Sequence, residues 1–164
     1  MLKKTLMGLC AALSLTACQS QTGVGFAQPV PVQVGGVNTA VAAEGEVLAA
    51  VNAERASYGL QPLVYNGLLT RAARAHVEDM VRTGIFSHTG SNGGTAADRA
   101  RHVGYQYCIV GENISMGHAS IQAAVQGWMA SKGHRDNILN RRFNEIGIGI
   151  GEGGRYVTDF GSRC

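Results

Sequence analysis

EIGIGIGEGGRYVTDFG, residues 145–161, decides the fold class. Ile146, Ile148 and Ile150 alternate with Gly147, Gly149 and Gly151, a period of two that belongs to a strand. A glycine-rich turn follows, and RYVTDFG then reads as the returning strand of a hairpin. With no side chains on its glycine face, the first strand is expected to be covered tightly by another element on that side.

Upstream of the hairpin the apolar spacing is helical. Glu44 to Tyr58 carries Val47, Leu48 and Val51 on one stripe, with Gly59 as the expected stop. Asn66 then caps a longer helix whose positions Leu69, Ala72, Ala73, His76, Val77, Met80 and Val81 recur at three-four spacing until Gly84. These two helices are expected to bury facing stripes. Thr95-Ala96-Ala97-Asp98 is a capping-box variant with a shorter acid, opening a short helix to about Val103 that Gly104 closes. A fourth helix runs from about Ser120 to Ala130, with Ile121, Ala124, Val125 and Trp128 on one face. Trp128 is the only tryptophan, and core packing is its expected use. Helices first and a hairpin last make the class α+β.

The chain of 164 residues has room for one ordinary domain. Its first residues, MLKKTLMGLCAALSLTAC, combine a basic start at Lys3 and Lys4, an apolar run and small residues, the pattern of an export signal. The ending LTAC resembles the bacterial lipobox, in which the cysteine, here Cys18, becomes the lipidated first residue of the mature protein. The alternative is a plain secretory signal in which Cys18 is incidental. Gln19 is not the aspartate associated with inner-membrane retention, so the resemblance favours the outer membrane, facing the periplasm. Residues 1–17 are thus read as a signal peptide, 18–43 as a lipidated cysteine with an uncharged tether, and 44–164 as the folded domain.

The formal charge of +3 includes the two signal lysines, so the rest is nearly neutral and carries no nucleic-acid footprint. A monomer is expected. Cys10 leaves with the signal and Cys18 takes the lipid, which leaves Cys108 and Cys164. In an oxidising envelope these pair, or they remain two separate buried thiols.

The polar residues that stand out are His88 in FSHTG, Glu112 in VGENI and His134 in SKGHRDN, each read at an element boundary. Two histidines and a carboxylate from separate segments could bind zinc and leave a position open for water. The bland alternative is that they close turns. A GEN turn uses its carboxylate and amide to tie backbone donors, and Asp98 and Arg99 form a cap and a surface ion pair or, alternatively, line the cleft. Gly133 is expected to break the chain out of the Trp128 helix and so place His134.

FSHTG with DRARHVGY, then GENI, then WMASKGHRDNIL with FNEIGIGIG, and finally YVTDFG, in that order and spacing, resemble the CAP (SCP) superfamily of cysteine-rich secretory proteins, venom antigens and plant pathogenesis-related proteins. The resemblance spans Glu46 to Gly161. It implies an α-β-α sandwich with helices flanking a mainly antiparallel sheet, and a central cleft of two histidines and two glutamates that in some members holds a divalent metal. His88, Glu112 and His134 match three of those four. The second glutamate follows the helix tryptophan by three residues, and here that position is Ser131. Losing that carboxylate weakens any zinc or other divalent site, with His88, His134 and Glu112 left as ligands.

Two functions remain open at this point. One is a lipid-anchored binding module whose cleft takes a small apolar molecule, a lipid, a peptide or a cell-wall component. The other is a protease-like hydrolase using the His88, Glu112 and His134 cleft, with Ser131 and His134 imaginable as nucleophile and base. A wall-associated spacer with no cleft chemistry is a third reading.

Overall fold

The computed structural model describes residues 35–164. The signal peptide, Cys18 and the first part of the expected tether lie outside the described residues. Helix α1 spans Gly35–Ser57, so its start precedes the expected Glu44 and the last part of the expected tether is helical. The sequence offers a reason: after Pro31 no proline occurs until Pro62, and Ala40, Ala42 and Ala43 are strong helix formers. Glu44, buried at the expected boundary, accepts from Arg74 Nε at 2.6 Å.

The remaining elements are β1 Val64–Tyr65, α2 Gly67–Thr83, α3 Ala96–His102, β2 Ile109–Ser115, α4 Ile121–Ala130, α5 Lys132–Ile138, β3 Glu145–Gly151 and β4 Arg155–Ser162. The strands form one sheet in the order β1-β3-β4-β2. β1 runs parallel to β3, while β3 with β4 and β4 with β2 are antiparallel. The expected hairpin is therefore the centre of the sheet, and β2 lies along one edge.

Helices cover both faces. The glycine side of β3 receives α2 so closely that a Cβ on Gly147 would lie 2.1 Å from the Leu69 carbonyl carbon, and one on Gly149 2.5 Å from that of Ala73. Only glycine permits such an approach. The isoleucine side, Ile146 and Ile148, joins Val47 and Val51 of α1, Val125 and Trp128 of α4, and Phe143 and Phe160 in the main core. Helices α1 and α2 thus do bury apolar stripes, but against opposite faces of the sheet rather than against each other. A strand with glycine on one side and isoleucine on the other needs two different covers, and the two helices supply them.

Helix ends follow local chemistry. Asn66 accepts from the backbone N–H groups of Leu68 and Leu69, Gly84 closes α2 in the left-handed region at φ 71°, and Thr95 with Asp98 forms a complete capping box. The break after Trp128 is different from the expected one. Ser131, extended at φ −92° and ψ 123°, separates α4 from α5, and Gly133 lies inside α5. Helix α5 is then held by its neighbours: buried Arg55 of α1 donates to the carbonyl of Ile138, the last residue of the helix, and to those of Asn140 and Phe143 just beyond it.

Cys108 and Cys164 form a disulfide, with α-carbons 4.9 Å apart. It joins the entrance of β2 to the end of β4, beside a backbone bond from Cys108 N–H to the Ser162 carbonyl at 2.9 Å.

Candidate functional site

GEN is not a turn. Glu112 and Asn113 lie in the middle of β2, paired with Asp159 and Thr158 of β4. Alternation along a strand sends Glu112 and Ile114 to the α2 face and Asn113 and Ser115 to the face of α4 and α5. Both faces are covered, so the polar pair is buried and must find partners inside the protein.

Asn113 Nδ2 donates to the His134 carbonyl at 3.0 Å, and Asn137 Nδ2 donates to Asn113 Oδ1 and to the Glu112 carbonyl. Trp128 adds its indole N–H to the Ile114 carbonyl at 3.1 Å. The tryptophan packs in the core as expected and also ties α4 to β2. These bonds pin the short helix carrying His134 against the strand carrying Glu112. Gly111 between them leaves no room for a side chain, because a Cβ there would meet the Phe143 ring at 2.9 Å.

From the other face comes the segment after α2. His88 Nδ1 donates to Glu112 Oε1 at 2.7 Å, and Arg99 Nη2 donates to Glu112 Oε2 at 2.5 Å. Arg99 also donates to the carbonyls of Gly94 and His88, which fixes the loop that presents the histidine. Arg99 is thus a half-buried partner of the buried Glu112 rather than part of a surface ion pair, whereas Asp98 is the expected exposed cap. The rings of His88 and His134 lie near one another, with centroids 6.5 Å apart and planes tilted by 42°. His88, Glu112 and His134 are therefore brought together.

The imidazoles are pushed in opposite directions. The hydrogen bond to Glu112 raises the His88 pKa above its ordinary value. Burial, then the neighbouring His88, lowers that of His134. One ring favours the cation and the other the neutral base, a division of roles that sites use to separate an acid from a base.

Two residues escaped the sequence reading as members of the site. His76, seen only as part of the apolar stripe of α2, is buried, donates Nε2–H to the Ser87 carbonyl at 2.9 Å, and lies 3.8 Å from Glu112 Oε2. Asp159 is fully buried opposite Glu112, and no donor among the described residues reaches either of its oxygens. Burial, followed by the repulsion of Glu112, pushes its pKa well up. Strand alternation from Val157 would have put Asp159 on the inward face, but its register with Glu112 was not readable.

The donor set can be tested against a cation. Both oxygens of Glu112 already have protein donors, and no group of three or more His, Cys, Asp or Glu side chains suited to a metal occurs among the described residues. What remains is His88 Nε2 and the His134 ring, with Glu112 acting behind His88 as an orienting acceptor. The Ser131 side chain makes no cap bond to α5, and no hydrogen bond joins it to His134 among the described residues.

Residues 48–160 match the family model for CAP, the cysteine-rich secretory protein family. The chain belongs to the CAP family. Its CAP domain is 39% identical over 115 residues to YkwD of Bacillus subtilis, an uncharacterised protein, covering 70% of this chain and 45% of that one. It also resembles the crystal structure of an extracellular SCP-domain protein of Bacillus anthracis, at 30% identity and a TM-score of 0.72, covering 75% of this chain and 41% of that one. An outer surface protein of Borrelia burgdorferi shares the fold at a TM-score of 0.69 and 18% identity, covering 73% of this chain and 92% of that one. The chain spans less than half the length of YkwD and of the Bacillus anthracis protein.

Proposed function

We propose that this is an exported, lipid-anchored envelope protein whose CAP domain is a binding module, the ligand seated between His88 and His134. The observation that carries the reading is the hydrogen-bonded frame behind those rings. Glu112 is fixed by Arg99 and orients His88, while Asn113 and Asn137 hold the His134 segment. Such a frame holds two imidazoles at a set separation without supplying a nucleophile. Ile85 and Phe86, exposed just before His88, offer apolar contact to a lipid, a peptide or a wall component.

Hydrolysis is the less supported alternative. Ser131 has no bond to the base it would need, and no oxyanion donors can be named. A divalent cation such as zinc, where one binds, would take His88 Nε2 and the His134 ring and act as a Lewis acid completed by water. With two protein ligands it would bind weakly, and folding would not depend on it.

Localisation draws on LTAC at Cys18 and on the relatives, one extracellular, one an outer surface protein, and one, YlbC of Bacillus subtilis, a membrane protein. No helix among the described residues is long and apolar enough to cross a membrane. The test is mass-spectrometric identification of small molecules that co-purify with the protein, with metal analysis of the same sample. A ligand retained by the unaltered protein and lost on His88→Ala or His134→Ala supports the module. Retention by both variants places the ligand elsewhere and removes the reading.

A further inference from the structure

Seven large apolar side chains are exposed among the described residues, and four of them, Val41, Ile85, Phe86 and Met116, belong to segments that meet at one end of the sheet. That end is marked by the turn from β3 to β4. Ser115, the last residue of β2, and Ile150 of β3 both pair with Tyr156, so β2 stops level with the turn. Met116 follows at once, and the N–H of Gly117 donates to the Gly153 carbonyl in the turn at 3.2 Å. Helix α2 points to the same end. A Cβ on Gly147 would meet Leu69, one on Gly149 Ala73, and one on Gly151 Val77 and Val81, so the helix advances along β3 until Gly84 ends it and Ile85 and Phe86 follow.

Helix α1 runs the opposite way. Arg55, near its end, donates to the Phe143 carbonyl just before β3, whereas Glu44 pairs with Arg74, whose backbone nitrogen lies beside Gly149. The first turns of α1, with Val41 one turn before Glu44, therefore extend toward the turn end. The other three exposed apolar residues lie elsewhere: Tyr58 follows α1, and Val64 and Tyr65 pair with Glu145 and Ile146 at the start of β3. The far end of the sheet is basic instead. There exposed Arg142 precedes β3, its carbonyl accepting from Ser162 Oγ, while Arg163 stands over the Tyr105 ring and Arg101 over that of Tyr107. At the turn end the charges include both signs, Arg82 paired with Asp79 and Arg155 beside Glu152, so the exposed feature there is apolar.

The length of chain before α1 argues for what covers this end. Residues 19–34 join Cys18 to α1, and even fully extended a segment of that length spans at most about 60 Å. A lipid held at Cys18 keeps the start of α1, and with it Ile85, Phe86 and Met116, closer on average to the bilayer than the basic end, at the high local concentration of a tethered pair. Exposed apolar side chains brought to an interface enter it, and a lipid chain with a second contact holds better than either alone. We propose that this end of the domain is a membrane-contact surface, on which Val41, Ile85, Phe86 and Met116 rest against the bilayer that receives the lipid of Cys18. Ile85 and Phe86 stand just before His88, so the contact, which rests on the lipid-anchored reading, brings the rim of the cleft to the lipid.

The experiment couples the mature chain, residues 18–164, through its Cys18 thiol to a maleimide lipid in phosphatidylcholine nanodiscs that also carry a gadolinium-chelating lipid, and reads the broadening of backbone amide NMR signals. Because the coupling is chemical, the face is tested whether or not Cys18 is naturally acylated, which intact-mass analysis of the native protein reports separately. Expected is broadening strongest at Val41, Ile85, Phe86 and Met116, weakest at Arg142 and Arg163, and unchanged by added salt because the contact is apolar. Ile85→Ser, Phe86→Ser and Met116→Ser combined should abolish most of this difference at unchanged melting temperature, since all three side chains are exposed. Ile85→Ser and Met116→Ser singly should each diminish it, so the result does not hang on the fold of one variant. Broadening spread evenly over the unaltered domain, or strongest at the basic end, would overturn the proposal. So would a difference that persists in full in the triple variant, since the tether alone would then orient the domain.

Discussion

Gly147 and Gly133 look alike in the sequence and differ completely in what surrounds them. A Cβ on Gly147 would collide with the backbone of α2, whereas one on Gly133 meets nothing within 4 Å. Gly147→Ala should therefore cost about 3 kcal/mol or more in urea unfolding, and Gly133→Ala should be neutral or stabilise by roughly 0.5–1 kcal/mol. The alternation of glycine and isoleucine made the first role readable. The second was misread because glycine after a helix suggests a stop, while the actual break is made by the extended backbone of Ser131. Asp159 supplies a pH dependence. Its carboxyl faces Glu112 from β2 and Arg99 from α3, with His76 of α2 beside Glu112. An acid whose pKa is raised on folding keeps its proton where the unfolded chain has lost it, so stability falls as pH rises above roughly 4, the ordinary carboxylate value. Asp159→Asn removes this slope. Its melting temperature should gain on that of the unaltered protein as pH increases from 5 to 8, the contribution of His76 being common to both. A constant difference across that range would show that Asp159 does not carry the proton.

At the scale of elements, the cleft depends on α5 being docked to β2. Asn137 bonds both the Glu112 carbonyl and the Asn113 side chain, so Asn137→Ala leaves buried polar groups without partners. A loss of about 2 kcal/mol is expected, together with faster amide exchange across α5 and unchanged exchange in α2. Equal exchange in the two helices of the variant would mean that α5 is held by Arg55 and packing alone. Helices α1 to α4 were legible because apolar spacing and caps such as Asn66 and Thr95 act locally. Strands β1 and β2 were not. β1 is two exposed residues whose pairing with β3 is set by tertiary register, and β2 hides its period because its inward positions include Glu112 and Asn113. Polar residues at buried strand positions break the hydrophobic pattern from which strands are read.

The whole molecule is closed by the Cys108–Cys164 disulfide, which spans 56 residues including the GEN and GHRDN segments. Reduction should lower stability by about 4 kcal/mol in the chain-entropy account. A melting temperature unchanged by reductant would show that β2 and β4 alone hold this end of the sheet. Of the site, His88, Glu112 and His134 were recoverable from motif order, because the family resemblance carries their convergence. His76, Asp159 and the role of Arg99 were not, since each depends on which face of an element meets Glu112. The central claim is that three distant segments meet at Glu112, whose carboxylate orients His88 while His134 stands nearby. It is tested most directly by NMR titration of the imidazole Cε1 protons in the unaltered protein and in Glu112→Gln. The account predicts that His88 titrates above and His134 below the ordinary imidazole value, and that Glu112→Gln moves the His88 midpoint down. Coincident ordinary midpoints for the two rings, with His88 unmoved by Glu112→Gln, would contradict it.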